Sequence, residues 1–274
     1  MPIIQPEITS LSPPDRPILR IGILNLMPEA EKYEHSILSR LGRSKREILP
    51  VWIRSEVHGY GSSNKDHLSR QYTTFSDAIR EQPLNGLIIT GAPVEKLPFE
   101  EVRYWEEISQ IMDYAWKNIP GTMGLCWGGL AMAKFLGIGK TVHEKKIFGV
   151  FPSQNLNPSH PVTGSSGNPF YCPQSRYAGF DEAELKEVAA AGKVERLAFA
   201  EETGHFIISA TDKNFIGHIG HPEYTVERIL FEYHRDQNAG LKTVPEYFNV
   251  DKPSYNWKDS GTSFFTRWVD CLEG

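Results

Sequence analysis

The chain of 274 residues is 40% hydrophobic and 23% charged, enough to bury a sizeable core as a soluble globular protein. Its 29 basic and 34 acidic residues give a net charge of -5 and no broad basic field for nucleic acid or an anionic membrane, so small-molecule partners are expected. Three cysteines, Cys126, Cys172 and Cys271, lack C-x-x-C spacing, which argues against a disulfide framework and for at least one free thiol.

The opening MPIIQPEITSLSPPDRP (1–17) carries five prolines and no secretory-signal pattern, and predicts a loosely held arm on a cytoplasmic protein. From Ile18 onward the expectation is one domain, 18–274. ILRIGILNL (18–26) predicts a buried strand, EKYEHSILSRLG a helix ending at Gly42, and REILPVWI (46–53) a second strand. After a polar loop, residues 66–81 read as helical and LNGLIITGAP (84–93) as a buried strand. In 99–118 the apolar positions 102, 105, 108, 111, 112 and 115 share a helical face, and GTMGLCW (121–127) is the next strand. Strands alternating with helices at this spacing imply an α/β fold, a mostly parallel sheet flanked by helices.

Residues 141–195 lose that rhythm in a Pro-, Gly- and Ser-rich stretch and read as loops over a site. ERLAFA, HFIISATD and FIGHIGHPEY then predict closely spaced antiparallel strands, and TVERILFEYHRDQNAG (225–240) a helix stopped by Gly240.

Chemistry concentrates at two places. In GLCWGGLAMA (124–133), Cys126 falls where a parallel strand gives way to a helix, the carboxyl edge at which α/β proteins bind ligands. A tight turn there holds a nucleophile outward, Gly128 and Gly129 let the backbone approach substrate, and the Trp127 N–H can serve an oxyanion. Free cysteine is also among the most buried residue types, so local context leaves nucleophile and core filler both open. In GHPEY (220–224), His221 ends a strand-like run, Pro222 turns the chain, and Glu223 can accept from one imidazole nitrogen while the other faces a thiol.

These two motifs together resemble class I glutamine amidotransferases. ILNLMP (23–28), HLSRQYTTF (67–75), GLIITGAPVEKLPFEEVRYWEE (86–107), FGVF (148–151), PQSRYAGF (173–180) and FEYHRDQNAGL (231–241) narrow the resemblance to the homoserine O-acyltransferase family, over roughly residues 18–268. The resemblance implies a glutamine amidotransferase-like three-layer fold and an acyl-CoA-dependent enzyme with no permanently bound cofactor or metal. Cys126 would be the acyl-accepting nucleophile, His221 the general base and Glu223 its orienter. Amides of Trp127, Ala92 and Val94 would form the oxyanion pocket. Arg235 would hold the acceptor carboxylate, and Lys146, Ser175 and Arg176 match substrate-site positions. Glu95 resembles acetyl-CoA users, where a glycine resembles succinyl-CoA users, because a carboxylate there repels a succinyl tail.

The expectation is therefore transfer of an acetyl group from acetyl-CoA, with succinyl-CoA as the other donor, to L-homoserine. L-serine is the close variant and glutamine hydrolysis the competing reading; aromatic-rich helices suit a homodimer. The chain departs from the family pattern at Glu29, Ala30 and Glu31, where a lysine pair is usual, in a rewritten 152–172, and in an early stop after SYNWKDSGTSFFTRWVDCLEG.

Overall fold

The computed structural model describes residues 17–164 and 166–272, so the arm expected over 1–17 lies outside the described residues apart from Pro17. Ten strands form one sheet. They are β1 (Leu19–Leu24), β2 (Ile48–Arg54), β3 (Thr73–Thr74), β4 (Gly86–Ile89), β5 (Gly121–Leu125), β6 (Lys140–Asn155), β7 (Phe170–Phe180), β8 (Val194–Ala200), β9 (Gly204–Ala210) and β10 (Asn214–His218). Their spatial order is β3-β2-β1-β4-β5-β10-β9-β8-β6-β7. Every pairing from β3 to β10 is parallel, and every pairing from β10 to β7 is antiparallel.

All residues of β1, β4 and β5 are buried, as strands covered on both faces must be. The covering helices are α1 (Ala30–Leu41), α2 (Lys65–Gln71), α3 (Phe75–Glu81), α4 (Trp105–Asn118), α5 (Trp127–Phe135), α6 (Glu182–Ala190), α7 (Val226–Asn238) and α8 (Lys258–Asp270). Gly121 and Gly124 of β5 sit three positions apart and point to opposite faces. A methyl group on Gly121 would strike Leu272 just beyond α8, and one on Gly124 would strike Gly128 and Met132 of α5. The two helices therefore cover opposite faces of the sheet.

The structure corrects three expectations. The helix expected over 66–81 is two short helices split at Tyr72–Thr74, because the Asn64 side chain caps α2 and the Thr74 hydroxyl caps α3. The helix expected from 99 begins as a single 3-10 turn, Phe99–Glu101, before α4. Most of 141–195 is not loop: it holds β6, β7 and α6. The first half of β6 is polar and largely exposed, so it lacks the two-residue alternation of a half-buried strand. Pro173 is accommodated because β7 is the sheet's edge, where proline costs no ladder bond.

The amino end of α5 presses on the sheet without intervening side chains. A methyl group on Gly128 would lie 2.3 Å from the Ile89 carbonyl oxygen and 2.9 Å from that of Thr90, both backbone. Gly128→Ala is therefore expected to cost about 1–3 kcal/mol by overpacking. Gly59→Ala, with nothing within 4 Å of the added carbon, is the matched control. Urea unfolding midpoints check this: equal midpoints for the two variants would contradict the packing described.

Candidate active site

Cys126 follows β5 directly and precedes α5, with φ 51° and ψ -114°. A positive φ is sparsely populated by residues other than glycine, and its neighbours hold it in place. The Cys126 N–H donates to the His218 carbonyl on adjacent β10 at 2.8 Å, and its own carbonyl accepts from the Leu130 N–H at 3.1 Å. Gly91, after β4, comes so close that a methyl group there would lie 3.1 Å from Cys126 Cβ and 3.5 Å from its sulfur. The thiol is partly exposed.

His221 emerges three residues after β10, the strand next to β5, with Leu125 opposite His218 in register. Its N–H donates to the Pro173 carbonyl at 2.8 Å, and its ring stacks on Tyr224 with centroids 3.9 Å apart. Nδ1 meets Glu223 Oε1 at 2.8 Å, and Glu223 is wholly buried. A carboxylate only accepts, so Nδ1 carries the hydrogen on this contact. The Cys126 side chain lies close enough to the imidazole to act on its proton affinity. Burial by itself lowers the proton affinity of His221, but the Cys126 sulfur and the Glu223 carboxylate outweigh burial and raise its pKa to about 10.

The turn is braced from elsewhere in the chain. The Tyr224 carbonyl accepts from Trp257 Nε1 at 2.7 Å and from the Arg40 guanidinium of α1 at 3.0 Å. His218 is a second buried histidine: Nδ1 accepts from the Gly220 N–H at 3.1 Å, and burial followed by repulsion from His221 lowers its pKa to about 3. It is a neutral core group, packed edge-on against Phe206 and Phe264.

Cys126 and His221 open on a cavity of about 780 Å³, with the loop from Ala92 to Leu97 as one wall and α7 as another. Trp127 is the first residue of α5, so its N–H has no intrahelical acceptor. Among the described residues the Ala92 N–H likewise has no backbone partner, whereas the Val94 N–H donates to the Ala92 carbonyl at 2.8 Å. The expectation for Val94 is thus corrected: the turn around Pro93 already uses its amide. Glu95 is partly buried in this wall, and its backbone carbonyl accepts from Lys140 Nζ at 2.7 Å.

Lys146 and Ser175 also line the cavity, but both are tied to α7. Lys146 Nζ lies 2.7 Å from Asp236 Oδ2, and the Ser175 hydroxyl donates to Glu232. Arg235 lines the cavity with its side chain 49% exposed, anchored at 2.8 Å on Asp236 and so able to present donors to a ligand. Arg176 does not reach the cavity. Its guanidinium is buried and donates to Gln174 Oε1 at 2.9 Å, the Ala178 carbonyl at 2.6 Å and the Thr203 carbonyl at 2.9 Å. The expectation of a substrate contact is corrected to a brace between β7 and the β8–β9 turn.

Glu232 went unpredicted. It is buried and accepts from Tyr224 at 2.6 Å and Arg228 at 2.9 Å as well as from Ser175. Burial raises its pKa, but Arg228, His221, Lys146 and Arg235 together pull it down to about 2. Its signal in the sequence is the spacing of Arg228, Glu232, Arg235 and Asp236, charged groups on one face of a helix. Tyr33, which meets Glu223 from α1, has no such signal. Glu29, at the family departure, stands just before α1 with φ 52° and no side-chain capping bond, pairs with Lys32 and lines the cavity. Among the described residues no cluster of His, Cys, Asp or Glu could hold a metal ion, and no helix is long and apolar enough to cross a membrane.

Solved structures share this architecture. A glutamine amidotransferase from Thermotoga maritima superposes with a TM-score of 0.61 at 13% identity, over 93% of this chain and 99% of its own. One from Methylobacillus flagellatus gives 0.58 at 14% identity, over 93% and 95%. Such low identities establish the fold alone: class I glutamine amidotransferase-like. Sequence relatives are nearer. Homoserine O-acetyltransferase of Bacillus cytotoxicus is 36% identical over 259 residues, 92% of this chain and 85% of the relative. The protein of that name from Bacillus subtilis is 34% identical, over 92% of this chain and 84% of its own. Residues 12–273 match the family described as homoserine O-succinyltransferase. The fold is like that of the amidotransferases, the sequence is like that of the homoserine O-acetyltransferases, and the chain belongs to the homoserine O-succinyltransferase family.

Proposed function

We propose that the protein transfers an acetyl group from acetyl-CoA to the side-chain hydroxyl of L-homoserine through an acyl-Cys126 intermediate. The observation that carries this reading is the buried Glu223–His221 contact, 2.8 Å long, which places the imidazole with Cys126 on a cavity that Arg235 also lines. The names of the relatives support homoserine as acceptor. We read residues 18–274 as one acyltransferase domain. Three free cysteines suit the reducing cytoplasm.

In the first half-reaction the Cys126 sulfur attacks the thioester carbonyl, whose oxygen takes the charge and faces the N–H groups of Trp127 and Ala92. The carbon–sulfur bond to CoA breaks, and the leaving thiolate takes the proton from His221. In the second, the acceptor hydroxyl gives its proton to His221 and attacks the acyl-cysteine carbonyl, and the bond to Cys126 breaks. Arg235 offers a planar, bidentate partner to the acceptor carboxylate. Lys146 and Ser175 hold the α7 carboxylates that keep Arg235 and the acceptor pocket in place. Glu95 in the cavity wall disfavours a donor with a second carboxylate.

L-serine is the second reading. It is one methylene shorter than homoserine, a difference that pocket size resolves by only about 1–3 kcal/mol. The negative Glu29 lining the cavity, where the family pattern has lysine, favours keeping it in view. Glutamine hydrolysis, the activity that the fold neighbours' names suggest, is the third.

Purified protein is assayed with acetyl-CoA or succinyl-CoA against L-homoserine, L-serine and L-glutamine, reading CoA thiol and ammonia. The expected result is CoA release with acetyl-CoA and homoserine and no ammonia; ammonia without CoA release refutes the transferase reading. Cys126→Ala is expected to abolish CoA release by at least about a thousandfold, whereas Cys172→Ala and Cys271→Ala retain it. Glu95→Gly should raise kcat/KM for succinyl-CoA relative to acetyl-CoA by about tenfold, since it removes a like-charge contact. An unchanged donor ratio would exclude Glu95 as the selector.

A further inference from the structure

We propose that Tyr33 is a positioning residue that sets the proton affinity of His221 by sharing the Glu223 oxygen to which the imidazole is bonded. The proposal rests on the assignment of His221 as base and adds to it a group from the other end of the chain.

The Tyr33 hydroxyl, on α1, donates to Glu223 Oε1 at 2.6 Å across 190 positions of sequence. His221 Nδ1 uses that same oxygen at 2.8 Å. The second carboxylate oxygen, Oε2, is buried with no hydrogen-bond partner among the described residues. Both donors thus converge on one atom of a carboxylate with no access to water, while its other atom is left bare. An orphaned buried acceptor is costly, and folded proteins keep such atoms where function requires them.

The convergence has two consequences. Two donors on Oε1 fix which oxygen faces the imidazole, because turning the carboxylate would break both bonds. The phenol also disperses the charge of Glu223 without cancelling it. Burial, and then the charge of Glu223, push the Tyr33 hydroxyl well above its ordinary range, so it stays a neutral donor. Without that donor the charge on Oε1 is answered by His221 alone, and the carboxylate pulls harder on the Nδ1 hydrogen. Only the neutral imidazole can take the proton of the acceptor hydroxyl, and a histidine of raised proton affinity is less often neutral at a given pH.

The other groups around this pair are Cys126, Tyr224 stacked on the imidazole, the neutral His218, Glu232 from α7, Arg40 from α1, and Cys172 and Arg176 from β7. Tyr33→Phe changes none of them. It removes one oxygen from a ring that is 1% exposed and leaves the packing of α1 intact.

The test compares wild type and Tyr33→Phe in the acyl-transfer half-reaction. The expected result is a fall in kcat of about tenfold, the size of a hydrogen bond to a charged group. The acid limb of kcat/KM for the acceptor should move up by about half a pH unit or more, with KM for acetyl-CoA unchanged. On the resting enzyme, the Nδ1–H proton resonance of His221 should move downfield. An unmoved acid limb with an unmoved resonance overturns the proposal, as does an activity loss matched by loss of folded protein in thermal melting. The resonance needs no substrate. If the wild type transfers no acyl group at all, the acyltransferase reading falls, and the resonance alone still upholds or overturns the role of Tyr33.

Discussion

The site depends on direct backbone contact between the first turn of α5 and the carboxyl ends of three parallel strands. Gly128 rests on the Ile89 carbonyl at the end of β4, Gly129 on the backbone of His218 at the end of β10, and Gly91 against Cys126 itself. No side chain fits between these segments, so the strand-to-helix turn has one geometry, and the positive φ of Cys126 belongs to it. Because β10 lies beside β5 in parallel register, His218 sits opposite Leu125, and the chain reaches His221 beside the thiol. Two residues far apart in sequence meet because the sheet leaves no alternative.

Around that meeting point the protein buries an unusual amount of charge. Glu223, Glu232 and Asp236 are all buried, as are the side chains of Lys146 and Arg176. Each ion would be costly alone, and each is answered: Glu223 by His221 and Tyr33, Glu232 by Arg228 and Ser175, Asp236 by Lys146 and Arg235. Arg176 is answered by neutral oxygens only, which is why burial lowers its pKa to about 10. The carboxylates on α7 keep Arg235 at the cavity wall with half its surface free, the condition for meeting an anionic group of a substrate.

Legibility in the sequence follows the physics of each segment. β1, β4 and β5 were plain because strands buried on both faces are short apolar runs bounded by turn residues. β6 and β7 were not, since β6 runs polar at its outer end and β7 carries a proline that only an edge strand accepts. Cys126, His221 and Glu223 stood out because their turns need glycines and a proline in fixed positions. The family resemblance, not their spacing, assigned their roles. Arg176 was misplaced because motif matching cannot tell a residue that lines a cavity from its neighbour that braces the wall, and Val94, which does line it, because matching does not show that a turn uses its amide. Tyr33 was invisible: nothing local marks a tyrosine on an amphipathic helix as the partner of a carboxylate 190 residues away.

The central claim is that Cys126 carries the acyl group between donor and acceptor. Its most direct test is intact-protein and peptide mass spectrometry after exposure to acetyl-CoA with no acceptor present. The account predicts a gain of one acetyl group, located on the Cys126 peptide, accompanied by release of one equivalent of CoA and lost again when L-homoserine is added. A protein of unchanged mass that releases CoA only when acceptor is present, or an acetyl group lodged elsewhere that discharges to homoserine, would contradict it.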